Sequence, residues 1–160
     1  MEKLFLDELK EVYGAEKRQM IVLPLLKKAA SSLRLQNMLA NHLYTTREHI
    51  SRLEEIFNML GVSPEARQSE VLLGIGREAE TVIGTTEKGT ATRDAGLVVA
   101  TQKLEHYEIS SYGSLAQLAR TLEYDDVLDI LELTLYEEKE ADDLLTALAE
   151  NYINTKASRE

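Results

Sequence analysis

A chain of 160 residues, 44 % of them hydrophobic and 29 % charged, is long enough for one domain to bury a core, and this balance excludes disordered and fibrous classes. Its 28 acidic against 18 basic side chains leave a formal net charge of -10, which disfavours nucleic acid and anionic lipid as partners and favours cations. With no cysteine, disulfides, thiolate zinc sites, iron–sulfur ligation and cysteine nucleophiles are all excluded, so any metal must be held by oxygen and nitrogen.

The start, MEKLFLDELKEVYGAEKRQM, mixes acids among its apolar residues, and no stretch of about 18 apolar residues occurs. Neither a signal peptide nor a membrane span is expected, and a cytoplasmic location follows as the default. Eight glycines and two prolines leave few places to break helices, and apolar residues recur at three and four, so the chain reads as all-α.

The first helix is predicted over Glu2 to Ala30, with Leu6, Leu9, Tyr13, Met20 and Leu23 on one face, Glu16 on that same face, and a kink at Pro24. Ser31 and Ser32 make a brief break, which returns the chain antiparallel into a second helix over Leu33 to Leu60. Its inner stripe reads Leu39, His42, Thr46, His49, Leu53, Ile56 and Leu60. Gly61 ends it, and Ser63-Pro64-Glu65 looks like the cap, first turn and early acid of a short third helix reaching about Ile83, with Val71, Leu72, Ile75 and Val82 apolar. The polar loop GTTEKGTAT, Gly84 to Thr92, completes a long connection. Such a connection lets the next helix, Arg93 to Leu122, run parallel to the second. A last helix spans Asp126 to Ile153, with Leu131, Thr134, Leu135, Leu145 and Leu148 inward, and the tail NTKASRE is expected to fray.

The fourth of these helices carries KLEHYEISSYGSL, in which Glu105 and Glu108 interrupt the apolar stripe of Leu97, Thr101, Leu104, Ser111, Tyr112, Leu115 and Leu118. An ionised carboxylate taken out of water without a partner costs several kcal/mol, so a buried pair requires a counter-charge or shared protons. Each of the four long helices puts such a group near the middle of its buried face: Glu16, His49 with His42, Glu105 with Glu108, and Glu138 with Asp142. Two divalent cations would neutralise these acids and suit the oxygen and nitrogen preferences of iron, or next of manganese, better than those of four-coordinate zinc. The candidate ligands are Glu16, His49, Glu105, Glu108, Glu138 and Asp142. Tyr13, His42 and Tyr112 stand close enough along their helices to hydrogen-bond those ligands from behind. His106 points away from Glu105, toward packing or a subunit contact, and Glu137, Glu140 and Asp143 read as solvated charge.

KLEHYEISSYGSL, YGAEKRQ at 13 to 19 and LYEEKEAD at 135 to 142 resemble the signatures of the YciE/YciF family of bacterial stress-associated proteins. The resemblance spans almost the whole chain. It implies a single ferritin-like, rubrerythrin-related four-helix bundle over 1–160, with a long crossover carrying an extra short helix, assembled as a homodimer, with no firmly assigned reaction. Against the ferritin pattern, Glu16 matches the lone Glu of the first helix and Glu105-x-x-Glu108 resembles the rubrerythrin variant of the third. The second helix departs from it, having Thr46-x-x-His49 in place of Glu-x-x-His, and the last helix has Asp142 four residues after Glu138 in place of a histidine at three. Two kinds of function stay open: a dinuclear non-haem centre that reacts with O2 or peroxide, and a non-catalytic stress-associated homodimer in which metal only stabilises the bundle.

Overall fold

Phe5, Leu9, Val12, Glu16, Gln19, Leu23 and Leu26 recur every three or four residues, and this stripe is the buried face of α1 (Glu2–Ala29) in a computed structural model that describes residues 1–160. The remaining elements are α2 (Leu33–Met59), α3 (Glu70–Thr85), α4 (Ala91–Thr121) and α5 (Asp125–Leu148), with a π turn (Ala149–Ile153) and a last short helix, α6 (Asn154–Ala157). The architecture is all-α: α1, α2, α4 and α5 form a four-helix bundle, and α3 lies in the crossover from α2 to α4.

Cross-helix pairs set the directions. Tyr13 bonds Glu54 and Gln19 bonds His42, so α1 and α2 are antiparallel. Gln19 meets Glu108 while Glu16 meets Tyr112, which makes α1 and α4 antiparallel, and hence α2 and α4 parallel. The pairs Arg52–Thr134 and Arg34–Tyr152 run α5 antiparallel to α2. This is the topology that the long connection predicts.

The turns hold this arrangement. Ser32 Oγ accepts from Leu35 N at the start of α2, and the buried Asp94 carboxylate of α4 accepts from Ser31 N, Ser32 N and Ser31 Oγ at 2.6 to 2.8 Å, tying the α1–α2 turn to α4. Gly61, at φ 68°, closes α2 with bonds from its own N–H to Asn58 O and from Val62 N to Phe57 O, the paired C-terminal pattern that needs a left-handed residue.

Three local expectations give way. Ser63-Pro64-Glu65 does not open α3; Ser69 does, accepting from Leu72 N, because the preceding segment bonds to α1 instead, through Arg67 N to Lys10 O. Gly14 permits that approach, since a Cβ there would sit 1.9 Å from Arg67 O. Val71 accordingly faces solvent and Leu72 faces the core. The tail does not fray: Ile153 is buried, and the Glu160 carboxylate accepts from Ala91 N, Thr92 N and Thr92 Oγ1, capping the positive end of α4, which itself begins two residues before Arg93. Those backbone donors hold the Glu160 carboxyl below its usual range.

The apolar core comes in two blocks. One gathers Leu23, Leu35, Leu39, Leu97 and Leu145, the other Phe5, Leu9, Phe57, Leu115 and Leu131. Each fully buried side chain of this size contributes about 1.5–3 kcal/mol. Between the blocks lies a layer of buried polar groups from all four long helices: Glu16 and Gln19, Thr46 and His49, Glu105 and Glu108, and Thr134 and Glu138.

Candidate metal centre

Helical spacing turns these groups inward, and the packing of the four long helices brings them together. Glu105 and Glu108, one turn apart on α4, point into the same layer as Glu16 of α1, His49 of α2 and Glu138 of α5, and all five are almost wholly removed from solvent. Oxygen or nitrogen atoms of Glu16, His49 and Glu138 lie within 4.8 Å of one another, as do those of His42, Glu105, Glu108 and Glu138. Atoms around one six-coordinate ion stand roughly 3 to 4 Å apart, so each group is close to the size of a single ion's shell. Glu138 belongs to both.

The polar accounting is concentrated here as well. Every buried side-chain oxygen or nitrogen without a hydrogen-bond partner belongs to six residues of this layer: Glu16, Thr46, His49, Glu105, Glu108 and Glu138. Both oxygens of Glu105 and both of Glu138 are among them. Buried carboxylates left in this state are costly, and a cation satisfies them where a neighbouring donor does not. The donor set, carboxylates with imidazole, therefore fits hard or borderline divalent ions.

Other contacts orient the groups. His49 donates through Nε2 to Glu137 Oε2 at 2.9 Å, which turns Nδ1 toward Glu138 Oε1 at 2.8 Å and Glu16 Oε1 at 3.2 Å. Arg52 grips Glu137 with the two terminal guanidinium nitrogens, at 2.6 and 3.0 Å. Tyr112 donates to Glu16 Oε1 at 2.6 Å. His42 Nε2 donates to Gln19 Oε1 at 3.1 Å, and Gln19 Nε2 donates in turn to Glu108 Oε1. With its proton so used, His42 supports Glu108; it offers a lone pair toward Glu105, 3.5 Å away, only in the other tautomer.

Burial shifts these groups in opposite directions. It pushes the Glu105 and Glu108 carboxyls well up, and the charges of Glu138 and Glu16 push the same way. Burial also raises Glu138, but His49 and His42 more than offset it and hold that carboxyl below the usual range. For His49, burial alone lowers the pKa, yet the carboxylates of Glu138 and Glu16 raise it to about 10. His42 goes down, through burial above all. Tyr112 is pushed well up by burial and by Glu16 and Glu108, so it stays a donor.

Of the residues singled out from the sequence, Glu16, His49, Glu105, Glu108, Glu138, His42 and Tyr112 meet in this layer. Asp142 and Tyr13 do not. Asp142, one turn beyond Glu138, accepts from Gln102 and pairs at 3.2 Å with the exposed His106, because the antiparallel register of α4 and α5 carries it toward the surface. Tyr13 donates to Glu54 and sits under Lys17, at the edge of the second apolar block. Glu137 is not free solvated charge, since Arg52 and His49 both hold it.

Gln19 and Arg52 escape a reading by ligand type alone. Gln19 stands three residues after Glu16, the same spacing as Glu105 to Glu108, and Arg52 stands three after His49. Those spacings are the signal that marks both.

The family described as "Domain of unknown function (DUF892)" matches residues 1–158. Protein YciF of Escherichia coli K12 is 40 % identical over 158 residues, covering 98 % of this chain and 95 % of the relative. The chain belongs to the YciF family. The crystal structure of the E. coli stress protein YciF superposes with a TM-score of 0.91 at 38 % identity, covering 97 % of this chain and 98 % of that one. YcfI of Rhodopseudomonas palustris, named only provisionally as a structural protein, gives 0.89 at 34 % identity, over 91 % of this chain and 92 % of its own. A Xanthomonas campestris protein at 18 % identity and a TM-score of 0.76, covering 98 % and 95 %, shares the fold with this YciF-family bundle. No helix of the chain is long and apolar enough to cross a membrane.

Proposed function

We propose that this YciF-family chain is a ferritin-like, rubrerythrin-related protein that holds two metal ions, iron first and manganese next, and uses them for O2, peroxide or ferroxidase-type redox chemistry in a cytoplasmic stress response. The observation that carries it is the convergence of every orphaned buried polar atom on one layer, in two overlapping groups that share Glu138. Bound iron or manganese supplies the electrons and the Lewis acidity that carboxylates and imidazoles lack.

The chain's own residues supply the rest. Glu16, His49 and Glu138 form one half of the site, and Glu105, Glu108 and Glu138 the other, with His42 alongside. Glu137 and Arg52 set the direction of His49, Tyr112 holds one oxygen of Glu16, and the His42–Gln19 relay holds one of Glu108. The apolar blocks above and below close the layer at its two ends. Thr46, where the ferritin pattern has Glu, adds only a hydroxyl, but Glu108 restores the count, so the site keeps four carboxylates, distributed differently among the helices.

A second reading takes the same layer as structural: metal bound between two apolar blocks would stabilise the bundle of a non-catalytic, stress-associated homodimer. Its position between those blocks favours this reading, as does the provisional naming of the R. palustris relative.

Elemental analysis of protein purified without added metal, followed by Fe(II) oxidation and peroxide assays, separates the two. Turnover above free iron that is lost in Glu105→Ala and Glu138→Ala proteins of unchanged helicity supports the enzyme. Stoichiometric metal without turnover leaves the structural reading. Absence of metal at any supplied concentration overturns both.

A further inference from the structure

The polar layer is sealed above and below by apolar side chains, but not on its flank. Between α2 and α5 a cleft of about 540 Å³ runs from the surface to His42, Glu105 and Glu138. Its outer rim includes the exposed Asn37, Asn41 and Glu140, and its floor is almost wholly buried. The register that pairs His49 with Glu137 and Arg34 with Tyr152 sets Thr45 opposite Ala141 midway down, and both are half-buried. Both are small, and both line the cleft.

We infer that this α2–α5 cleft is the entry route by which a hydrated divalent cation reaches the buried carboxylates, with Asn41 and Glu140 at its mouth and Thr45 facing Ala141 at its neck. The inference rests on the metal reading above.

Size, charge and unmet valence agree on the occupant. A six-water ion displaces roughly 180 Å³, taking about 30 Å³ per water, so the cleft's volume exceeds that of a hydrated ion. A second void touching the layer, beside Gln19 between α1, α3 and α4, measures about 10 Å³, no more than one water. Glu140 adds a carboxylate at the mouth to those at the floor, Glu137 being held by Arg52, while the one guanidinium lining the cleft, Arg34, is held 3.5 Å over the Tyr152 ring at the outer end. The floor carries both oxygens of Glu105, wholly buried and without a hydrogen-bond partner. A dication can thus shed its waters one at a time against oxygen ligands as it descends.

The test is stopped-flow loading of the full, metal-free chain with Co(II), followed by its visible absorption, with bound cobalt measured after equilibrium dialysis. Thr45→Phe and Ala141→Phe should each slow loading at least tenfold while reaching the wild-type cobalt content. Ser114→Phe, on the exposed outer face of α4, should change neither. Glu140→Lys, at a solvent-exposed position that no buried contact depends on, should slow loading about threefold at low ionic strength, with the effect fading as salt screens it. Unchanged rates in the Phe variants and in Glu140→Lys overturn the route and leave the metal reading standing. A lowered cobalt content at an unchanged rate also overturns it, because those residues would then shape the site and not the path. Failure of the wild-type chain to take up cobalt overturns the metal reading and the route with it.

Discussion

His49 Nδ1 approaches Glu138 Oε1 to 2.8 Å, yet the ring is turned so that no aligned hydrogen bond joins them. The cause lies on the other side of the ring, where Nε2–H is committed to Glu137, itself gripped by Arg52. Two atoms at ligand-to-ligand distance, out of line for a shared proton, are disposed to point at a common third partner. A ring nitrogen bonded to a carboxylate behind a metal-facing one is a recurrent way to fix the tautomer of a ligating histidine.

Glu138 is shared by both groups of candidate ligands and Glu16 belongs to one. Glu138→Gln is therefore expected to abolish binding of both ions, whereas Glu16→Gln should leave one. Metal content per chain after saturation and desalting, near zero for the first and near one for the second, checks this; equal losses would refute the sharing.

Arg52 orients the site through Glu137 and His49 and also donates to Thr134 Oγ1 of the layer. Arg52→Ala should lower metal affinity by about 10–100-fold, the usual effect of removing an orienting partner, while leaving helicity and saturating stoichiometry intact. Titration calorimetry with Mn(II) measures the shift. Glu137→Gln, which keeps an acceptor for Nε2–H, should cost less than Glu137→Ala.

Asp142 lies outside the layer, paired with His106 and Gln102 near the surface. Asp142→Asn should leave metal content unchanged and alter stability by no more than about 1 kcal/mol, as for exposed ion pairs. A loss of one ion in this variant would show that α5 contributes a second carboxylate after all.

The stability of the metal-free fold and the stabilisation added by metal should depend on pH in opposite senses. In the metal-free fold Glu105 and Glu108 keep their protons above the ordinary carboxyl value of 4.5, and His49 keeps its own from 6.5 up to about 10. The folded chain then binds more protons than the unfolded one, so stability falls as pH rises through that window. Glu137 and Glu138, held low, act the other way, and their contribution is lost only as pH falls below the carboxylate range. Metal must displace the retained protons, so its stabilisation should grow with pH. At a metal concentration about 100 times the Kd, the gain is about 2.7 kcal/mol per bound ion, or roughly 5–10 °C in melting temperature for each in a chain of this size. Melting curves from pH 5 to 9, with and without chelator, read both trends; a metal-free chain that gains stability with rising pH would contradict the protonation pattern.

Much of this protein is legible from residue order because helical period is a local property. Apolar residues three and four apart define a face without knowledge of what covers it, so the four long helices, their parallel and antiparallel order, and the inward direction of Glu16, His49, Glu105, Glu108 and Glu138 follow from the chain itself. Tertiary structure decided what depends on register between helices, which no local period carries. It placed Asp142 against His106 and Tyr13 against Glu54, drew Glu137 inward through Arg52, and inserted Gln19 between His42 and Glu108. It also delayed α3 to Glu70, because Gly14 lets the backbone at Arg67 bond to α1, and it folded Glu160 back onto the start of α4. In each case a polar group found its partner tens of residues away, and only the packed bundle specifies which one.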